Sequence, residues 1–148
     1  MSAPNKEIIR PAAPEDYDAI VELWAAGGLE VRSAGRDSRD AFVAQRTRFP
    51  ATYLLAVIDG RIVGVILGTH DERKGWINRL AVHPEHRRQG LARRLIETCE
   101  RALIREGIEI FAALVETHNS VSVGTFESAG YLRNIPVHYF HKRLRADV

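Results

Sequence analysis

Cysteine is almost absent from this chain: Cys99 stands alone among 148 residues. One thiol excludes a disulfide framework and a thiolate metal cluster. Its position, four residues after Leu95 and four before Leu103, places it on the apolar stripe of a helix, where a free cysteine packs as a small hydrophobe. Long apolar runs are missing as well. No segment approaches the ~20 apolar residues of a membrane span, and Met1 to Lys6 lacks the apolar core of a signal peptide. The expectation is a soluble, cytoplasmic protein with no membrane partner. A large excess of one charge is also lacking, since 21 basic residues face 19 acidic ones for a formal charge of +2. That balance suits a small anionic ligand better than a nucleic acid. His138 and His141 have no carboxylate or further histidine at a ligating spacing, so no metal is expected. No repeat, linker or low-complexity segment interrupts residues 1–148, which read as a single domain with enough apolar content (45%) for a true core.

Periodicity gives the order of elements. Glu7 to Arg10 reads as a short strand, and Pro14-Glu15-Asp16 opens a helix that buries Ile20, Val21 and Trp24 and ends at Gly27-Gly28. After an irregular stretch, Leu29 to Asp37, a second helix runs from about Ser38 to Phe49 and stops at Pro50. Tyr53 to Ile58 and Ile62 to Leu67 flank Asp59-Gly60, the signal of a tight hairpin. Both runs are apolar on both faces, as in central strands covered on each side. Gly75 to Val82 forms a further strand, Leu91 to Glu106 a long helix capped by Gly107, and Ile108 to Val115 a strand. Asn119 to Ala129 is the last helix, ended by Gly130, and Val137 to Leu144 a closing strand. Hairpins followed by a βαβ unit make a mixed α/β domain.

The most informative stretch is Val82-His83-Pro84-Glu85-His86-Arg87-Arg88-Gln89-Gly90-Leu91-Ala92, a strand end, a polar turn and a helix start. The first turn of a helix exposes backbone N–H groups without intrahelical partners, and the positive end of the helix dipole adds to their pull on an anion. Gly90 allows close approach because it has no Cβ. The site therefore suits a phosphate or pyrophosphate. Arg87 and Arg88 supply guanidinium groups of the right geometry, whereas Arg94 and Arg101 read as a solvated helix face. The glycine spacing is not that of a dinucleotide fold. The arginines lack the interleaved aromatic residues of a nucleic-acid surface.

These residues resemble a known family. Arg87-Arg88-Gln89-Gly90-Leu91-Ala92 fits the pattern [RQ]-x-x-G-x-[GA] of the GNAT superfamily of acyl-CoA-dependent N-acetyltransferases. Leu80-Ala81-Val82-His83-Pro84 resembles that family's cofactor strand, and Asn119 with Phe126 to Tyr131 its last conserved block. The resemblance is sharp from Gly75 to Tyr131 and topological before it. It implies a central mixed, mostly antiparallel sheet of about six to seven strands, flanked by four helices, with a splayed strand pair forming the coenzyme A slot. It further implies that acetyl-CoA is bound by Leu80, Ala81, Val82, Arg87, Arg88, Gln89, Gly90, Leu91, Ala92, Arg93, Asn119 and Phe126. A strand bulge near Leu80 would direct an N–H at the oxyanion of acyl transfer. Asn119 also reads as a plain helix N-cap, a role compatible with the other.

The catalytic half is written less fully. An amine attacks only when neutral, and a free alkylammonium has a pKa near ~10, so a base is expected. Where many relatives place a glutamate on the cofactor strand, this chain has Trp76; Asn78 offers only hydrogen bonds. The remaining candidates are Glu116, at the end of the neighbouring strand, and His70 and Asp71, in the turn before Gly75. Phe126 occupies the position of the family's tyrosine acid and cannot protonate a thiolate. The reading is an N-acetyltransferase acting on a primary amine by direct attack through a tetrahedral intermediate. The alternative is an acyl-CoA-binding sensor that has lost catalysis. The acceptor pocket falls on Trp24 to Arg36 and Asn134 to Phe140. There Glu30 and the aromatic residues suit a cation, and Arg32 and Arg36 suit an anion, so the acceptor stays open. A homodimer is compatible with the family.

Overall fold

The computed structural model describes residues 6–134 and 136–148; Met1 to Asn5 and Ile135, inside the expected acceptor segment, lie outside the described residues. Among the described residues, five strands form one sheet in the order β1-β2-β3-β4-β5. They are β1 (Glu7–Pro11), β2 (Tyr53–Ile58), β3 (Arg61–His70), β4 (Gly75–Val82) and β5 (Phe111–Ala113). Each of the first four is antiparallel to its neighbour, and β4 pairs with β5 in parallel. Among the described residues, four α-helices flank the sheet: α1 (Tyr17–Ala26), α2 (Arg39–Arg48), α3 (Leu91–Arg105) and α4 (Ser120–Ser128).

The β2–β3 hairpin forms as its dipeptide dictates. Asp59 (φ +50°) and Gly60 (φ +81°) both take the left-handed conformation of a tight turn, and Ile58 pairs with Arg61 across it. Both faces of these strands are covered. Leu54, Ala56, Ile58 and Ile66 pack under α3 with Leu91, Leu95, Ile96, Cys99 and Leu103. Tyr53, Leu55, Val65 and Leu67 pack on the other face with Ile20, Leu23, Trp24 and Phe42. Val63 is an extra residue between the Ala56–Gly64 and Val57–Ile62 pairs, which is why it shares a face with Ile66.

Helix α3 lies close against the sheet because β3 offers it glycines. A Cβ at Gly64 would stand 2.8 Å from Leu95 Cδ1, and one at Gly68 would meet Cys99. Cys99 is wholly buried, its thiol donating to the Thr52 carbonyl, and burial pushes its pKa up to about 12. It is a core residue, as its helical spacing predicts. On the opposite side the β1–α1 turn is fixed by Asp16. Its carboxylate accepts from Arg10 at 2.7 and 3.1 Å and from the Ala13 N–H at 2.7 Å. The Arg10 hydrogen bond, ahead of burial, holds the Asp16 pKa below the usual carboxylate range.

The sheet has fewer strands than the six to seven the resemblance implies. β5 is three residues long rather than spanning Ile108 to Val115, and Val137 to Leu144 forms no strand. Alternating apolar residues record how side chains would fit a pleated surface; they do not supply the ladder partners a strand needs. The short β5 offers few such partners on its outer edge. That edge therefore borders a cleft of about 910 Å³ lined by Phe111, Ala113, Val115, Phe126 and Tyr131. Val137, Tyr139, Phe140 and Leu144 remain largely exposed.

Candidate active site

The site begins where β4 and β5 part. Gly75 pairs with Phe111, Trp76 with Ala112 and Ile77 with Ala113, after which β5 ends and β4 runs on to Val82. From Asn78 onward, the edge of β4 facing β5 has no strand partner. On its other edge β4 bulges: Val65 pairs with Ala81 but Leu67 with Asn78, so Arg79 and Leu80 together oppose a single β3 residue. Arg79 takes a φ of +52°, a conformation that non-glycine residues adopt at some cost and that here turns the strand. The expected bulge near Leu80 and the splayed pair are thus both features of the molecule.

Beyond Val82 the chain enters a short 3-10 turn, Pro84–His86, whose entry is fixed by the His83 N–H donating to the Val63 carbonyl at 2.8 Å. The His83 imidazole caps the turn by accepting from the Glu85 N–H at 3.2 Å. Arg88 (φ +63°) and Gly90 (φ +75°) then reverse the chain into α3. Among the described residues, the backbone N–H groups of residues 88–93 find no acceptor; the first helical bond is Arg94 N–H to the Gly90 carbonyl at 3.0 Å. Here is a concave run of donors at the positive end of a 15-residue helix.

The arginines around it divide by role. Arg87 Nε donates to the Val82 carbonyl at 3.3 Å, and Arg93 pairs with Glu97 at 2.9 Å. The Arg88 side chain is exposed and pairs with no described residue, which leaves it free for an anion. Arg94 is 43% exposed, as expected of a solvated face, but it is not unengaged there. Its guanidinium holds both oxygens of Glu7 (2.6 and 2.8 Å) and donates to the Gln89 carbonyl at 2.8 Å, so it ties the anion loop to β1. A Cβ at Gly90 would come within 3.0 Å of Arg94 Nη1.

On the β5 side, Asn119 caps α4, its Oδ1 accepting from the Ser122 N–H at 3.1 Å, which leaves its amide NH₂ without a protein partner among the described residues. Phe126 is buried, edge-on to Tyr131 at 5.1 Å. Tyr131 does not replace the missing acid. Its hydroxyl donates to Glu100 at 2.7 Å, and burial together with that carboxylate raises its pKa.

The candidate bases fall in different places. Glu116 lies beyond the end of β5, highly exposed, 3.1 Å from His118 Nε2. Asn78 lies at the bulge, its NH₂ donating to Thr69 Oγ1 at 3.1 Å and to the Trp76 carbonyl at 3.2 Å. His70 is not brought to the site. It pairs with Gly75 at the far end of β4, roughly 16 Å from Leu80 at ~3.3 Å per residue. There it packs against Phe49, with Glu106 4.0 Å from its Nε2. Asp71 beside it is a turn cap, accepting from the N–H groups of Arg73 and Lys74, and these bonds hold its pKa low.

The residue that sequence reasoning missed is Arg79. Its guanidinium stacks on Trp24 at 4.2 Å, donates to the Glu30 carbonyl at 3.0 Å and stands 3.4 Å from Asp37. It joins the bulge to the loop between α1 and α2. The available signal was a charged residue interrupting an apolar strand, Ile77-Asn78-Arg79-Leu80-Ala81-Val82.

Comparison with known proteins bears on this geometry. Residues 17–131 match the model of the Acetyltransferase (GNAT) family. An acetyltransferase of Photorhabdus laumondii is 30% identical over 140 residues, 94% of this chain and 96% of that protein. Among solved structures, Ard1 from Thermoplasma volcanium superposes with a TM-score of 0.77 at 17% identity, covering 87% of this chain and 84% of its own. The PaiA N-acetyltransferase from Thermoplasma acidophilum, in complex with coenzyme A, gives 0.74 at 18% identity, covering 83% and 87%.

Proposed function

Since the chain belongs to the GNAT family of acetyltransferases and takes acetyl-CoA as its donor, we propose that it transfers the acetyl group to a primary amine by direct attack at the β4 bulge. The observation that carries this reading is the run of unpartnered N–H groups at residues 88–93. The donor's pyrophosphate lies on them, with Arg88 alongside. Its pantetheine arm follows the open edge of Leu80 to Val82 and hydrogen-bonds to it as an added strand. The Asn119 amide donates to that arm, and Phe126 packs beneath it. The thioester carbonyl then stands at the bulge, where a backbone N–H meets its oxygen.

The neutral amine nitrogen forms a bond to the carbonyl carbon, and the oxygen takes the negative charge, held by the bulge N–H. When the intermediate collapses, the C–S bond breaks and coenzyme A leaves as a thiolate. The proton shed by the nitrogen passes through water to Glu116, which with His118 delivers it to solvent. The thiolate takes its proton from water, because neither Phe126 nor the engaged Tyr131 supplies one. Asn78 orients the amine or its water through its free amide oxygen.

One observation favours a second reading, a coenzyme A-binding sensor. Tyr131, packed against Phe126, has its hydroxyl committed to Glu100. Thiol release from acetyl-CoA, followed with a panel of primary amines, separates the two. Release that depends on an added amine is expected. Tight binding of acetyl-CoA with no release for any amine would favour the sensor.

A further inference from the structure

The loop between α1 and α2 contains residues suited to a cation and residues suited to an anion, and the fold disposes of the first kind. Glu30 Oε1 is held by Arg32 at 2.7 Å. Asp37, buried, accepts from the Arg32 N–H at 2.7 Å and faces Arg79 at 3.4 Å. Both carboxylates are engaged. Arg32 and Arg79 face these two acids, while Arg36 follows Gly35, against which Asp147 and Val148 pack. Arg36 is exposed and pairs with no described residue.

A second observation points the same way. Trp24 Nε1, Arg32 Nε and Arg79 Nε are buried without any acceptor. Trp24 is 2% exposed and lies under the Arg79 guanidinium, so the orphaned donors belong to one contiguous cluster. Buried N–H groups almost always find partners, and a cluster of them short of acceptors is a region of positive potential. The Arg32 and Arg79 side chains are 26% and 24% exposed, so their guanidinium edges reach solvent while each Nε is enclosed.

Arg79 belongs to the bulge itself, and its guanidinium lies on the α1 face of the sheet over Trp24, whereas Leu80 packs on the α3 face; an anion held at the Arg79 edge approaches the bulge from the α1 side. We propose that the acceptor is a small α-amino acid, whose carboxylate rests on the exposed edges of Arg32, Arg36 and Arg79 while its amine meets the thioester at the bulge. This rests on the acetyl-transfer reading and adds the substrate class to it. A peptide N-terminus, with a neutral carbonyl in place of the carboxylate, gains less from such a cluster.

The experiment measures thiol release from acetyl-CoA by the full chain with the L-α-amino acids, their α-carboxamides and the matching amines that lack the carboxyl group. At least one amino acid is expected to exceed its carboxamide about tenfold or more in kcat/KM, the scale of one charge-assisted hydrogen bond. In Arg36→Gln the preference should fall by about threefold to tenfold, mainly through KM, with the Kd for coenzyme A unchanged. Arg36 is exposed, so folding is not at stake in this variant. Carboxamides or simple amines used as well as the acids would overturn the proposal and leave acetyl transfer standing. An acid preference that survives in Arg36→Gln and again in Arg32→Gln would overturn the assignment to this cluster. Release with no amine at all would defeat the transfer reading, and this one with it.

Discussion

The two ends of the β4 segment at the candidate site present different kinds of polar group. At the loop into α3 the donors are backbone N–H groups, set by two left-handed residues and a helix start. At the bulge, facing α1 and its following loop, the polar groups are side chains: Arg79, Arg32, Asp37 and Glu30. A backbone site is independent of side-chain identity and suits a group that never changes, such as a pyrophosphate. A side-chain site is adjustable one residue at a time and suits the partner that varies between relatives. On the proposed function, the donor half is recognisable from local sequence because its groups are in the backbone, whereas the acceptor half depends on side chains brought together from distant segments.

The sharpest way to break the contrast is Gly90→Val. Gly90 holds φ +75°, and its Cβ would meet Arg94 Nη1 at 3.0 Å. A β-branched residue resists that conformation, so the loop should open and its N–H groups should scatter. Coenzyme A affinity, by calorimetry, is expected to fall about a hundredfold, equivalent to ~2.8 kcal/mol. The fold should persist by circular dichroism. A loss under threefold would place the pyrophosphate elsewhere.

Leu95→Ala tests whether the helix behind the loop supports it. Leu95 is wholly buried against Gly64, and such truncations cost about 2–5 kcal/mol. Urea unfolding should show that loss, with coenzyme A affinity falling much less than in Gly90→Val. An equal fall in affinity would mean that the loop has no geometry of its own apart from the core.

On the acceptor side, Asp16→Asn removes the carboxylate that holds Arg10 and the Ala13 N–H. Because the native pKa lies below the ordinary value of ~3.9, the carboxylate stabilises the fold above that pH, and the contribution is lost as pH falls through the native pKa. Arg10 is partly solvated, so the cost at pH 7 is about 1 kcal/mol. The variant and the parent should converge in stability once the pH falls below the native pKa of Asp16. A gap that persists in acid would show that packing, and not the ion pair, is what the substitution disturbs.

Sequence made much of this legible because the decisive features are local. Asp59-Gly60 specifies its turn through φ, and Cys99 its burial through helical spacing. Gly90 and its neighbours form a loop whose unpartnered donors are backbone N–H groups. What escaped is non-local. Arg94 reads as surface in its own helix, yet Glu7, 87 positions earlier, captures it. Arg79 gains its meaning from Trp24, Glu30 and Asp37. His70 is close to Gly75 in sequence, but the hairpin carries it to the wrong end of β4. Val137 to Leu144 has a strand's alternation and no partner strand, since pairing is a property of two segments.

The smallest expected effect tests the weakest part of the catalytic half. Phe126→Tyr restores the hydroxyl that the position of the family's acid would carry. The Phe126 ring is 8% exposed and lies edge-on to Tyr131, so the substitution adds one oxygen with little room to move. A thiol has a pKa near ~8.5, so a thiolate is a far better leaving group than an alkoxide and departs without prior protonation. Proton donation therefore has little of the barrier to remove. Single-turnover rates of acetyl transfer should change by less than about threefold, under ~0.7 kcal/mol in the barrier. A many-fold rise with unchanged coenzyme A affinity would show the reverse: that loss of the acid limits this enzyme, and that the catalytic half, unlike the donor half, has drifted from its optimum.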